Sequence, residues 1–267
     1  MGAGASCQAV DRLLDVAFPG GLSGALSAGA VPRSRCVKSV CLASHDGRDF
    51  LERQVLSILP QLSPEDELLI GDDASSDGTP DLVRSLGDPR IRLWEGRFGG
   101  VIANFEFLLS QARGTWILLS DQDDEWLPGR VAALEEAHPE TQLVLCDAEV
   151  VDGYGKLLSP SLLATYRAHP GLWHNLLRNG YSGCCMALRP NLLPRLLPFP
   201  AGIGMHDWWI GLVAERLGTA HWIRRPLVRH YRHGRNASFG LERSRIPLLR
   251  RAMMRIQLLR ALRQRCG

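Results

Sequence analysis

Between Ser120 and Trp126 the chain reads SDQDDEW, four carboxylates in five positions directly behind the apolar run Thr115–Ser120. Carboxylates this close repel one another, so either a cation shares their space or the loop is well solvated. Three other short stretches mix carboxylates with histidine or hydroxyls: ASHDG at 43–47, GDDASSDGT at 71–79 and GMHDWW at 204–209. A calcium loop of the EF-hand kind fails on spacing. From Asp73 the twelfth position is Arg84 where Glu is needed, and from Asp121 the sixth is Trp126 where Gly is needed. A phosphate-binding P-loop is absent from the sequence. The chemistry left is a hard cation held by one or two carboxylates together with substrate phosphates, the usual habit of magnesium. Such a cation would neutralise the cluster, and a diphosphate would complete its shell.

The elements that deliver these clusters are legible from periodicity. KSVCLAS (38–44), Glu67–Ile70, Arg90–Trp94 and Thr115–Ser120 read as strands, with helices between them at Asp49–Leu59, Pro80–Leu86 and Val101–Ala112. Strands alternating with helices imply βαβ units and a mostly parallel sheet. Ligands of such sheets sit beyond the carboxyl ends of the strands. The clusters after the first, second and fourth strands should therefore face one crevice. Beyond Leu127 a helix is expected over Pro128–Ala137, a strand at Gln142–Cys146, a buried strand holding Cys184 and Cys185, and a strand pair between Thr219 and His230. Ile246–Arg265 reads as one amphipathic helix.

Composition is that of a soluble globular chain, 45% hydrophobic and 22% charged over 267 residues. The net charge of +3 conceals an asymmetry: residues 241–267 hold eight Arg and one Glu, which leaves the rest mildly acidic. A duplex-binding protein carries its positive charge across the folded body, so no nucleic-acid partner is expected. Seven cysteines without a CxxC form neither a disulfide framework nor a zinc site, which points to a reducing cytoplasm. No apolar run approaches the roughly 18 residues a membrane span needs. Residues 1–35, rich in Gly, Ala and Ser, read as a poorly ordered extension with a short helix around Asp11–Phe18.

VCLASHDGRDFLERQVLSIL, ELLIGDDASSDGT, the NFEFLL helix and GTWILLSDQDDEWLP follow one another at a characteristic spacing, and GMHDWWIGLVAERLG and HYRHGRNAS come after them. In that order they resemble the GT-A-type nucleotide-sugar glycosyltransferases of the large inverting family two, and its rhamnosyltransferase-like members above all. The resemblance spans about residues 37 to 240. It implies an α/β GT-A domain over 36–240, with a mostly parallel central sheet flanked by helices and the basic helix of 241–267 as an extension. Carried over by position, it implies that Ala43, Ser44 and Asp46 meet the nucleotide and that Asp72 and Asp73 hold base and ribose. Asn104, at the start of NFEFLL, falls in the same nucleotide-sugar site. Asp121 and Asp123 form the DxD, with Asp123 the direct metal ligand and Asp121 nearer the ribose or sugar. His233 is placed to reach the metal or the diphosphate, and Asp207 is the catalytic base.

Two departures stand out. Phe98–Gly100 is FGG where relatives often carry Asn-x-Gly, and His45-Asp46 replaces a common Tyr-Asn. Some of these residues also have plainer readings. An Asp opening a helix is often just a cap, the Trp208–Trp209 pair suits a core, and His230 and His233 beside Arg232 and Arg235 suit a surface or a diphosphate.

The expected activity is inverting transfer of a sugar, with rhamnose or another deoxyhexose as the candidate class. The expected donor is a dTDP- or UDP-sugar, the cofactor Mg or Mn, and the acceptor a glycan or lipid-linked molecule of cell-envelope polysaccharide synthesis. One carboxylate takes the acceptor hydroxyl's proton, while a metal and a cationic group stabilise the departing diphosphate. A sugar-1-phosphate nucleotidyltransferase is the same-fold rival, but it needs a Gly-rich loop with Arg and Lys where SHDGRDF offers Arg48 alone. A silent nucleotide-sugar binder is the other, and intact Asp121, Asp123 and Asp207 argue against it. The expected location is the cytoplasm, with the basic helix either lying on the inner face of the membrane or packed on the catalytic domain.

Overall fold

Strand β1 (Lys38–Ser44) turns Val40 and Leu42 into one core and Cys41 and Ala43 into another. This is the period-two alternation of a strand covered on both faces. The same division runs through β2 (Glu67–Asp73), with Leu68 and Ile70 against Leu69, and through β4 (Trp116–Asp121), with Leu118 against Ile117 and Leu119. Helix α1 (Arg48–Ile58) fills the first core with Leu51, Val55 and Ile58 at helical spacing, and α2 (Thr79–Ser85) adds Val83. Helix α3 (Val101–Gln111) fills the second with Phe105, Leu108 and Leu109. These residues belong to a computed structural model that describes residues 37–233 and 247–267. The expected extension at 1–35, its short helix and the stretch after His233 lie outside the described residues.

β1 pairs in parallel with β2 and β4, and β2 with β3 (Ile91–Gly96). The chain thus runs outward from β1 to β3, then crosses back through α3 to β4 on the other side of β1. That reversal opens a crevice at the carboxyl ends of β1 and β4, where open α/β sheets bind ligands.

The second half extends the sheet. β6 (Leu143–Asp152) follows β5 (Glu125–Trp126) in the chain and pairs with β7 (Leu157–Ser159) and β8 (Met186–Leu188) antiparallel. β8 joins it to β4, and β9 (Ala220–Arg232) pairs with β6 in parallel and with β5 antiparallel. The sheet is therefore mixed, with parallel pairing at β1–β4 and at β6–β9. Around it lie α4 (Leu162–Tyr166), α5 (Leu172–Leu177), α6 (Leu193–Leu196), α7 (His206–Arg216) and α8 (Leu248–Cys266).

Three expectations for this half need correction. The helix over Pro128–Ala137 shrinks to a 3-10 stretch at Ala132–Glu136. Gly129 takes a left-handed φ of 89°, and Arg130 next to it turns inward, donating to Cys146 Sγ (2.7 Å) and to the Cys184 carbonyl (2.6 Å). The strand pair at 219–230 is one long strand. Pro226, which cannot donate to a ladder, sits at a register irregularity opposite Asp147, so the strand passes through it. Cys184 and Cys185 are buried as expected but form a 3-10 turn with Gly183 ahead of β8.

The C-terminal helix packs on the domain through Leu258, Ala261 and Leu262, all buried. Arg255 donates to the carbonyls of Leu176 (3.3 Å) and Leu177 (2.6 Å), closing the end of α5, and Arg265 donates to Leu197 (2.9 Å) and Pro198 (3.1 Å). Leu249, Met253 and Ile256 form a separate, exposed stripe.

Candidate active site

The loops after β1 and β2 are laced together by short polar side chains. Asp46 adopts φ 45°, a left-handed conformation that Asp tolerates better than most residues. Its amide donates to Ser75 Oγ (2.8 Å) and its carboxylate accepts from the Ser76 amide (2.8 Å). Asp72, fully buried, accepts from the Ser75 amide (2.9 Å) and hydroxyl (2.5 Å). Asp73 accepts three backbone amides from the FGG loop: Phe98 (2.6 Å), Gly99 (3.1 Å) and Gly100 (2.7 Å). Gly99 and Gly100 hold φ values of 87° and 117°, which side chains resist. In this chain the FGG loop meets Asp73 through its backbone.

Gln122, between the two aspartates of the DxD, fastens the end of β4 to that of β1. Its Oε1 accepts from Ser44 Oγ (2.9 Å) and the His45 amide (2.9 Å), and its Nε2 donates to the His45 carbonyl (3.0 Å). Both neighbouring carboxylates titrate high. Burial raises Asp121 first, then the neighbouring Cys184, Asp124 and Asp123; burial and Asp124 likewise raise Asp123. His233 Nε2 lies 3.0 Å from Asp123 Oδ2, with its ring stacked on Phe50 at 4.4 Å.

His230 is buried, contrary to the surface reading. Its Nδ1 meets Asp124 Oδ1 at 2.8 Å. Burial opposes charge on this ring, but the Asp124 carboxylate outweighs it and pushes the imidazole up to about 12. Part of the positive charge that the acidic cluster demands is therefore built in. Among the described residues, the three ligand-type side chains whose atoms lie within 4.8 Å of one another are Asp124, Cys184 and His230, not Asp121, Asp123 and His233. Asp123 and His233 do meet, and a carboxylate with an imidazole is a donor set that suits a divalent cation. The site residues fit the expected Mg or Mn.

α7 delivers the last carboxylate. Asp207 sits in its first turn, buried, and its Oδ1 accepts from the Trp208 amide (2.5 Å), with Asn179 Nδ2 at 3.5 Å. Burial raises it from the ordinary 3.8 to about 6, while the amides of Trp208 and Gly183 and the Asn179 side chain pull the other way. A carboxyl poised near neutrality is what a general base requires. The N-cap of α7 is Met205, and Asp207 follows in the first turn, where a negative charge is favoured by the helix dipole. Trp209 is fully buried and Trp208 half-buried. Their indole nitrogens donate to Leu196 O (3.2 Å) and Asn175 O (2.7 Å), bracing α7 against α6 and α5.

A cavity of about 550 Å³ gathers these groups. Ala43, Ser44, Asp73 and Asn104 line it from the first half of the chain, Asp121, Gln122 and Asp123 from the end of β4, and Asp207 from α7. Of the other residues expected at the site, Asp46 and Asp72 support its loops from behind, and His233 reaches Asp123 from beside it. Sequence reasoning passed over Gln122, Asn179, Tyr181 and His206, which also line the cavity. Adjacency to Asp121, Asp123 and Asp207 was the available signal for Gln122 and His206; the other two carry none.

The model of glycosyl transferase family 2 matches residues 39–197. TuaG of Bacillus subtilis, a teichuronic acid biosynthesis glycosyltransferase by name, is 36% identical over 92 residues, 33% of this chain and 36% of that protein. WfgD of Escherichia coli, a UDP-Glc:alpha-D-GlcNAc-diphosphoundecaprenol beta-1,3-glucosyltransferase, is 26% identical over 176 residues, 65% of this chain and 68% of that one. The mannosyltransferase PcManGT from Pyrobaculum calidifontis, solved with GDP-Man and Mn2+, aligns with a TM-score of 0.55 at 20% identity over 95% of this chain and 70% of its own. That likeness bears on the fold, which is GT-A. The chain spans about a third of the length of the first curated relative it matches. The family model covers more than half of the residues, and the chain belongs to glycosyl transferase family 2.

Proposed function

We propose that the chain transfers a sugar with inversion from a nucleoside-diphosphate donor to a hydroxyl of a glycan or lipid-linked acceptor in cell-envelope polysaccharide synthesis. The observation that carries this is Asp207, a buried carboxyl lifted to about 6 in the same cavity as Asp121 and Asp123. Asp207 takes the proton of the acceptor hydroxyl as that oxygen attacks the anomeric carbon, and Asn179 orients its carboxylate. Ala43, Ser44 and Asp73 frame the nucleotide, on loops that Asp46, Asp72 and Gln122 hold in place. Asp123, with Asp121 and His233, would hold Mg or Mn, which when bound supplies positive charge to the departing diphosphate.

Relatives named for teichuronic acid synthesis and for transfer to a diphosphoundecaprenol acceptor support the envelope setting and the lipid-linked acceptor. A UDP- or dTDP-sugar is the proposed donor, with a deoxyhexose such as rhamnose the class that the motif resemblance favours. We further propose peripheral contact with the inner membrane face through α8, whose exposed stripe of Leu249, Met253 and Ile256 stands beside Arg250 and Arg260. No helix of the described residues is long and apolar enough to cross a membrane.

Donor turnover without acceptor tests the enzyme reading. A panel of UDP-glucose, GDP-mannose and dTDP-rhamnose with Mn2+ should give slow nucleoside-diphosphate release from at least one donor. Saturable binding with no release from any of them would favour the silent binder.

A further inference from the structure

His206 opens α7 beside Asp207 and is 2% exposed, yet neither of its ring nitrogens has a hydrogen-bond partner among the described residues. Its ring stacks on Phe105 with centroids 4.2 Å apart. The imidazole lines the cavity of the candidate active site, opposite a glycine: a Cβ on Gly183 would come within 2.8 Å of Nε2. Asn104, from α3, lines the same cavity and is in a similar state. Its Nδ2 is spent on the Gly71 carbonyl (2.8 Å), while Oδ1 is buried without a partner. A buried polar atom left unmatched is destabilising, and two side chains carry that cost in one cavity.

Burial holds His206 down to about 3, so the ring is neutral throughout the working range. A neutral imidazole offers one N–H donor and one bare nitrogen acceptor, and Asn104 Oδ1 adds a second acceptor. The doubly esterified diphosphate of a nucleotide sugar and ionised carboxylates lack donors at neutral pH and would leave both acceptors unmet. Neighbouring hydroxyls of a sugar ring each donate and accept, which is the complement this set lacks.

We propose that His206, with Asn104, binds the hydroxyl groups of the donor's sugar ring and so takes part in choosing which sugar is transferred. This rests on the glycosyltransferase reading of the site. His206 lines the cavity beside Asp207, which receives the acceptor's proton. The ring held there is the donor's, since the nucleotide that carries it is framed by Ala43, Ser44 and Asp73 of the same cavity.

The test separates sugar from nucleotide. Calorimetry with Mn2+ compares UDP with UDP-glucose and GDP with GDP-mannose, on the parent, His206→Phe and His206→Gln. The parent should bind at least one nucleotide sugar more tightly than its bare nucleotide. His206→Phe should keep the bare nucleotide's affinity within about twofold and lose tenfold or more of the gain from the sugar, about 1.4 kcal/mol; His206→Gln should restore part of it. Should the Phe variant fail to fold, long-range proton–nitrogen spectra of the parent's imidazoles, with His206 assigned through the Gln variant, give a second readout. A His206 nitrogen should shift on adding the nucleotide sugar and stay still with the bare nucleotide. An unchanged sugar increment in the folded Phe variant, a silent His206 nitrogen, or a parent with no sugar increment would overturn the proposal while leaving nucleotide binding intact. A parent that binds no nucleotide at all would defeat the glycosyltransferase reading as well.

Discussion

Replacing Asp207 with Asn removes a charge from the cavity lining and keeps an oxygen to accept the Trp208 amide now held at 2.5 Å. Burial has lifted this carboxyl from 3.8 to about 6, and one pH unit of displacement corresponds to about 1.36 kcal/mol. The folded protein therefore binds the proton more tightly than the unfolded chain. Stability attached to that proton is full below about pH 4 and lost as pH rises through about 6. At pH 8 the ionised Asp207 costs the fold up to about 3 kcal/mol. Asp207→Asn should then melt higher than the parent at pH 8, by several degrees for a chain of this size, and equally near pH 4. Its turnover should fall by about 10²–10⁴, the usual loss with a general base. The parent's own turnover should decline as pH drops through about 6, because the base must be ionised. A pure cap predicts the opposite sign, since Asn lacks the negative charge that favours a helix N-terminus. Thermal melts at pH 4.5 and 8, paired with donor turnover, decide the matter. A variant less stable than the parent at pH 8 with normal turnover per folded molecule would refute the reasoning.

The cation site predicts that Asp123→Asn loses the metal-dependent part of diphosphate affinity, tenfold or more, about 1.4 kcal/mol. Calorimetry with Mn2+ and with chelator reads this directly, and equal affinities in all four conditions would dismiss the site. For the membrane contact, ending the chain at Ser244 would strip the buried Leu258, Ala261 and Leu262 from the core, so point substitutions on the exposed stripe are the cleaner probe. Met253→Glu with Ile256→Glu should reduce sedimentation with anionic vesicles in a salt-dependent way, each nearby Arg contributing about 1 kcal/mol. Trp173 and Leu177 on α5, which α8 packs against, are exposed as well. Binding unaffected by the double substitution would leave α8 as a packing helix alone.

Local patterning carried the first half of the molecule. The strands at 38–44, 67–70, 90–94 and 115–120 and the helices between them stand within a few residues of their expected bounds. In a βαβ run each apolar stripe meets the element next to it in the chain, so periodicity and turn residues suffice. Convergence of the three polar clusters follows from parallel pairing, and the cavity does hold Ser44, Asp73, Asp121 and Asp123 together. The second half obeys longer-range constraints. β9 runs unbroken through Pro226 because β6, from some 75 residues earlier, pairs with it on both sides of the proline, and register shifts in β9 opposite Asp147 absorb it. Arg130 leaves its expected helix for acceptors at Cys146 and Cys184 that the local sequence does not announce.

Residue types in SDQDDEW and GMHDWW were enough to mark where charge and a base belong. Tertiary structure alone decided their states. His230 becomes a buried cation because Asp124 is brought to 2.8 Å, and Asp207 titrates near neutrality because α7 buries it. A carboxyl's identity is written in the chain; its proton affinity depends on the burial and the partners that folding supplies.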